Sequence, residues 1–466
     1  MITTMHKSVV ALAAGLIAGA NAFWRMECPG RVGLARLDPI VSPGQVSSHV
    51  HAIHGSSAFS ENADTPNLLA GDCTSCRVTQ DKSAYWHPAL YFQNTDTGKF
   101  EVVQQVGGML AYYLLYGNNI TAFPSGFRMV SGNNDRRTYT AGDPNQPDPP
   151  KSFWGSMKQD DLAQRAIGFN CLNYGKTPEG TLYRHYLPDK AYLDANCKDG
   201  LRLELMFPSC WKGGDAKDSP NHQDHVAFPD LVMTGTCPKG YPVRLPSLLY
   251  EVIWNTAAFR GKNGRFVLAN GDTTGYGYHG DFMMGWDEAF LQKAVNTCTN
   301  LSGKIEDCPL FNVVDQGKAT KCNLRLPLPK PIIGENVQGP VANLPGNVQV
   351  LGGGSGDNRN GPAAPKPALT YVPGQKPSDS ASPLPGQIFK DKSSSAAGFG
   401  IEAVTVQPTT PPATTPAPEI KSYYSTQYVT NGNVVSKILW VEQFVYVTQY
   451  TDTTTTVGIP APPTRP

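Results

Sequence analysis

Ala84-Tyr-Trp-His-Pro-Ala-Leu-Tyr-Phe92 sets four aromatic side chains, a histidine and a proline into nine residues, with no charged group among them. Aromatic and small apolar residues suit a pleated, half-buried surface, and Pro88 is incompatible with a helix interior. The stretch reads as extended chain. Val102–Val106, Met109–Tyr116, Leu201–Phe207 and Leu248–Trp254 read the same way, separated by turns such as Phe123-Pro-Ser-Gly126 and Ser131-Gly-Asn-Asn-Asp135. Short strands at this spacing, with few long helical periods, predict a mainly β domain, a β-sandwich of jelly-roll type with few short helices. One helix is expected after Asp287, which can cap a segment whose Leu291, Ala294, Val295 and Cys298 recur at helical spacing.

Outward from these strands the chain divides by composition. Residues 1–22 carry an apolar run, Val9–Ile17, and end Ala20-Asn21-Ala22, the small-x-small pattern of a signal peptide, so the mature chain is expected to start at Phe23 and to be secreted. Residues 23–322 form the β-rich domain. Residues 323–420 read as a Pro/Gly/Ser/Thr-rich linker, 421–458 as a hairpin-like segment turning at Asn431-Gly-Asn433, and 459–466 as a disordered end. No stretch beyond the signal approaches the ~20 apolar residues that a membrane span needs. With 39 Lys and Arg against 38 Asp and Glu, no global field draws in nucleic acid.

All ten cysteines fall between Cys28 and Cys322. An even count in an oxidising compartment predicts up to five disulfides of open connectivity, and Cys73-Thr-Ser-Cys76 is read as part of that framework rather than as a redox or zinc motif. Sequons at Asn119 and Asn300 suit a glycoprotein.

Three of the nine histidines lie in Ser47-Ser-His-Val-His-Ala-Ile-His-Gly55. On a strand, His49 and His51 share a face, and two adjacent imidazoles can bind a metal, pass a proton to substrate or flank an anion. A cupin reading fails because Gly55 and Ser56 stand where that motif needs Glu. A copper-brace reading is weakened because the expected first mature residue is Phe23. Two further constellations carry chemistry. Ser219-Pro-Asn-His-Gln-Asp-His-Val-Ala-Phe-Pro229 offers His225, with His222 and Asp224, in a loop between Cys210 and Cys237. Leu268-Ala-Asn-Gly-Asp-Thr-Thr-Gly-Tyr-Gly-Tyr-His-Gly-Asp-Phe282 offers His279 and Asp281 as acid and base and Tyr276 and Tyr278 as stacking faces. Glu251 interrupts an apolar strand, where a carboxylate is costly unless paired or facing a cleft, so it is a candidate acid or a buried partner of an Arg such as Arg244. Trp86, His87 and Arg128 are candidate substrate contacts.

Leu37-Asp-Pro-Ile-Val-Ser-Pro-Gly44, Ser48-His-Val-His51, Tyr85-Trp-His-Pro-Ala-Leu-Tyr-Phe92, Pro124-Ser-Gly-Phe-Arg-Met129, Phe207-Pro-Ser-Cys-Trp211 and Asn270–Phe282 occur in one order. Together they resemble a large family of secreted fungal proteins catalogued as a domain of unknown function, sometimes beside WSC carbohydrate-binding domains. The resemblance spans roughly residues 23–310. It implies an extracellular or cell-wall location, a link to polysaccharides, and a family pattern that includes the positions of His49, His51, His225, His279 and Asp281, with His54.

The expected function is therefore a carbohydrate-active enzyme cleaving or modifying a wall polysaccharide in a histidine-rich cleft. A lyase would use His or Tyr as base, with Arg128 or a cation neutralising a carboxylate; a glycoside hydrolase would pair Glu251 with Asp281 or Asp224. Two alternatives stand beside it: a zinc or copper site built from His49, His51 and His225 or His279, and a non-catalytic protein that binds wall glycan.

Overall fold

The computed structural model describes residues 22–351, apart from 147, 177 and 326, together with the backbone of 425–431 and 434–440. Nearly all of the expected signal segment, most of the linker and the last residues lie outside the described residues.

Two five-stranded antiparallel sheets build the domain. The first runs Ala22–Cys28, Gln105–Leu115, Ser247–Trp254, Leu201–Met206, Ile167–Cys171; the second runs Gly33–Leu37, Val46–Gly55, Ala84–Pro88, His279–Met283, Arg128–Gly132. They pack face to face as a sandwich, with Tyr85 of one sheet against Tyr250 of the other at 5.8 Å between ring centroids. Gly280 permits this approach, because a Cβ there would lie 2.7 Å from Leu205 Cδ2. Two three-stranded sheets flank the sandwich.

Side chains alternate across each strand, yet the strands are buried along nearly their whole length. The reason is that loops cover both outer faces. Between the sheets lie Ala52, Tyr85, Leu203, Leu205, Tyr250 and Phe282. Outside the second sheet, Ile53, Trp86 and Met283 pack with Ile40, Phe59 and Leu68. Outside the first, Tyr112, Leu114, Met206 and Leu249 pack with Trp154, Leu162 and Val232. The mainly β class and the few short helices agree with expectation, and the helix after Asp287 forms over Glu288–Thr297, its cap accepting from Phe290 N at 2.7 Å.

All ten cysteines pair, as Cys28–Cys76, Cys73–Cys322, Cys171–Cys197, Cys210–Cys237 and Cys298–Cys308. Cys73 and Cys76 enter different bridges, so Cys-x-x-Cys is neither a redox pair nor half a zinc site. The chain beyond Cys322 stays on the domain: Val337, Val341 and Val348 pack against the central core, and Arg36 pairs with Glu335 at 2.9 Å. Composition marks 323 as the start of a linker, but scattered single valines fasten the chain to the domain as far as Leu351. Ser425–Asn431 runs antiparallel to Val434–Trp440, in a compact unit of its own.

Candidate functional site

Strand pairing places the principal histidines. His51 lies opposite Pro88 and Ile53 opposite Trp86, while Trp86 lies opposite Asp281 on the other side. Residues directly opposite share a face, so His49, His51, Trp86, His279 and Asp281 all project from the outer face of the second sheet. The His49 and His51 rings are 4.3 Å apart and those of His49 and His279 5.1 Å. One nitrogen from each of the three lies within 4.8 Å of the others, the sole such group of potential metal ligands among the described residues.

The second ring nitrogens decide what the cluster can do. His51 Nδ1–H donates to the Leu37 carbonyl at 3.1 Å and His279 Nδ1–H to the Gly277 carbonyl at 2.9 Å. A carbonyl only accepts, so in the neutral ring both Nε2 atoms carry bare lone pairs. His49 Nδ1 meets Ser48 Oγ at 3.1 Å, and its Nε2 faces His279 Nε2 at 3.2 Å. Two nitrogens at that distance either share one proton or share an ion, and ligands ~3.3 Å apart are what a tetrahedral zinc with bonds of about 2.0–2.1 Å requires. An imidazole held at Nδ1 by an oxygen and free at Nε2 is the arrangement of metal-bound histidine. Burial keeps the rings neutral. It is the first cause that lowers His49 and His51 well below the ordinary histidine value and His279 to about 4, with mutual repulsion or the Arg137 charge adding to it.

Asp281 stands on the same face, one register row away. Both its carboxyl oxygens are buried without a hydrogen-bond partner, as is His51 Nε2. Burial, and then the Asp38 charge, push its pKa well above the usual carboxylate range. Asp38 itself is buried and accepts from Ile40 N at 3.0 Å and Val41 N at 3.1 Å. Sequence reasoning passed over Asp38, although an Asp opening a Pro-containing turn is the signal that could have raised it.

The remaining candidates separate from this cluster. His225, expected as a ligand, is bound at both nitrogens: Nε2–H donates to the Arg128 carbonyl at 2.8 Å, and Nδ1 meets Ser219 Oγ at 3.0 Å. It holds a loop, and it is His279 that lies beside His49 and His51. His222 is paired with Asp218 at 2.7 Å, and Arg128 reaches the same carboxylate at 3.4 Å. Tyr276 lies tilted against Tyr139, with ring centroids 5.8 Å apart.

Glu251 projects from the outer face of the first sheet. It accepts from Tyr112 Oη at 2.7 Å and approaches Arg202, not Arg244, at 3.8 Å. It lies directly opposite Glu204, which is bound by Arg202 at 2.7 Å and pushed upward by burial. Sheets of a sandwich lie ~10 Å apart, and Glu251 and Asp281 point away from each other across both. The fold therefore does not bring Glu251 and Asp281 to one cleft, as a glycosidase pair requires. Glu204 was missed, although a Glu inside the apolar Leu201–Met206 run gives the same signal that singled out Glu251. His54, His87 and Tyr278 fall on the inner face, where the rings of His54 and His87 lie 5.9 Å apart. The histidines thus occupy several places rather than one cleft.

No helix among the described residues is long and apolar enough to cross a membrane. No curated protein and no solved structure matches the chain. A family model does match, over residues 38–286, which takes in His49, His51, His279 and Asp281. By that match, over more than half its length, the chain belongs to the family described as domain of unknown function DUF1996.

Proposed function

We propose that His49, His51 and His279 hold a zinc or copper ion, in a secreted, wall-associated protein that uses it to cleave or modify a polysaccharide. The observation that carries the reading is the convergence of three neutral imidazoles, each anchored through Nδ1 to an oxygen. Three histidine ligands would leave a fourth position open, where the ion would supply Lewis acidity and an activated water. Asp281, on the same face with both oxygens uncommitted, would be the carboxyl available to that water. Five disulfides and the expected signal segment support secretion; the polysaccharide rests on the resemblance of the motifs.

Metal content of the secreted protein, measured by mass spectrometry, tests the site. Zinc or copper near one per chain, lost in His49→Ala/His51→Ala, is the expected result, and no metal in either sample sinks the proposal. A second reading is favoured by burial, since His49, His51 and His279 are only 5%, 0% and 4% exposed. In it the ion fastens the fold of a protein that binds glycan without cleaving it. Chelation then lowers the melting temperature but changes no product; product release that chelation stops and metal restores marks the enzyme.

A further inference from the structure

The Gly277 carbonyl, which accepts from His279 Nδ1–H at 2.9 Å, is itself held by a buried polar network. Asn270, a buried side chain, donates from Nδ2 to the same carbonyl at 3.0 Å. A carbonyl oxygen has two lone pairs, so His279 and Asn270 together fill it. The Gly277 N–H donates to Asp272 Oδ2 at 2.8 Å. Asp272 is fully buried, and its Oδ1 accepts from Thr274 N at 2.7 Å and from Thr274 Oγ1 at 2.6 Å. Both polar atoms of Gly277 are thus fixed by side chains five and seven positions earlier in the Asn270–Phe282 motif.

Arg137 clamps this network from the turn that follows the Arg128–Gly132 strand. Its Nη2 donates to the Asn270 carbonyl at 3.0 Å, and its Nη1 to the Asn134 and Arg136 carbonyls at 2.7 and 2.8 Å. A Cβ on Gly277 would lie 2.6 Å from Arg137 Nη1, so the guanidinium rests against Gly277 and leaves no room for a side chain. The orientation of the Asn270 amide follows from its partners. Its Nδ2 also lies 3.1 Å from the Asn134 carbonyl, and because carbonyls only accept, the amide nitrogen and not the oxygen must face both. Gly132, directly opposite His279, has a φ of 86°, and a Cβ there would lie 2.7 Å from His279 Cα. The strand that leads into the turn therefore closes on the histidine's own backbone.

We propose that Asn270 and Arg137 are positioning residues of the metal site. Asn270 fixes the Gly277 carbonyl, Arg137 fixes Asn270, and the carbonyl holds the His279 ring with its proton on Nδ1 and its Nε2 lone pair beside His49 and His51. The inference rests on the metal reading, and neither residue touches the ion in it. Ser48, which holds His49, is exposed, so water can stand in for its hydroxyl; Asn270 and Gly277 are buried, and a donor lost there is not replaced by solvent. Partners that orient a metal's ligands change its affinity by about 10–100-fold when removed.

Affinities of the full chain for zinc and copper(II), measured by competition with a chelator, and the electron paramagnetic resonance spectrum of the copper(II) form test it. Asn270→Asp keeps the shape of the side chain but sets an oxygen against two carbonyls. It is expected to weaken both ions by about 10–100-fold and to alter the copper(II) spectrum. Arg137→Lys keeps the charge but cannot hold three carbonyls at once, and is expected to weaken both ions by several-fold. His225→Ala, which loosens a loop outside the network, should keep wild-type affinity and spectrum. Melting of each metal-free variant shows whether the fold survives, and if Asn270→Asp does not melt cooperatively, Arg137→Lys carries the test. Wild-type affinity and spectrum in the network variants, or an equal fall in His225→Ala, overturns the inference and leaves the metal reading in place. A wild-type chain that takes up neither zinc nor copper overturns the metal reading and this inference with it.

Discussion

Replacing Asp81 by Asn should change the pH dependence of stability in a calculable way. Asp81 is fully buried at the end of a hydrogen-bonded chain: Trp286 Nε1–H donates to Tyr113 Oη at 3.1 Å, Tyr113 and Tyr85 hydroxyls meet at 2.7 Å, and Tyr85 Oη–H donates to Asp81 Oδ2 at 2.5 Å. Ser83 N–H donates to Oδ1 at 2.9 Å. Burial outweighs these donors and raises the carboxyl from 3.8 to about 6. A raised acid in the folded state binds its proton more tightly than in the unfolded chain. Its contribution is therefore complete below pH 3.8 and is lost as pH rises through about 6. A shift of about 2 units is worth about 3 kcal/mol. Asn cannot ionise, so Asp81→Asn should be about 3 kcal/mol more costly relative to wild type at low pH than at pH 8. Urea denaturation with disulfides intact, at pH 4.5 and pH 8, should show about 2 kcal/mol of this difference, the remainder appearing only below pH 3.8. Comparing variant with wild type at each pH cancels the buried histidines, which titrate in both. A penalty equal at the two pH values would refute the argument, because it would mean that Asp81 is ionised throughout and its donors prevail over burial.

Three further outcomes are expected. His225→Ala should leave metal content unchanged while lowering stability by about 1–3 kcal/mol through the orphaned Arg128 carbonyl, as read by mass spectrometry and thermal melting. Loss of Cys73–Cys322, which spans 249 residues, should cost about 5 kcal/mol by the loop-entropy relation, against about 3–4 for Cys171–Cys197 with its span of 26; paired Cys→Ser variants in denaturant give the ranking. Arg202→Met should cost about 3–5 kcal/mol by leaving Glu204 and Glu251 face to face without their shared cation, and adding Glu204→Gln should recover part of that loss.

What was legible in the sequence is what a period of two encodes. His49 with His51, and His279 with Asp281, are each two residues apart, so any strand there aligns them. That His279 rather than His225 completes the cluster depends on register. The His279–Met283 strand pairs with Ala84–Pro88, which pairs with Val46–Gly55, and no local pattern states that three segments separated by long stretches of chain are neighbours. The cost of a buried carboxylate was likewise readable at Glu251, but its cation was not. Arg202 reaches it from the adjoining strand, whereas Arg244, nearer in sequence, is turned toward the Met233 carbonyl. Residues 323–351 read as linker because their apolar residues are too sparse to form a period, yet single valines suffice where a surface to cover already exists.

The same period explains why one dense set of motifs in sequence divides between two faces in space. Trp86 and His87 are adjacent, as are Tyr278 and His279, and adjacent residues of a strand face opposite ways. His51 and His54 differ by three and are also opposed. Each motif therefore sends one residue to the metal-binding face and another into the sandwich: His51, His279 and Asp281 outward, His54, His87 and Tyr278 inward. Pro88 lies directly opposite His51. It offers no N–H, and the pairing of its strand with His279–Met283 runs only from Ala84 to Trp86. A single cleft cannot collect all of these histidines without breaking the strands that carry them. Substitutions on the two faces should consequently separate: outward changes such as His51→Ala should remove metal, inward changes such as His87→Ala should leave metal content unchanged, and metal loss in His87→Ala with the fold intact would show that the sheet couples its two faces.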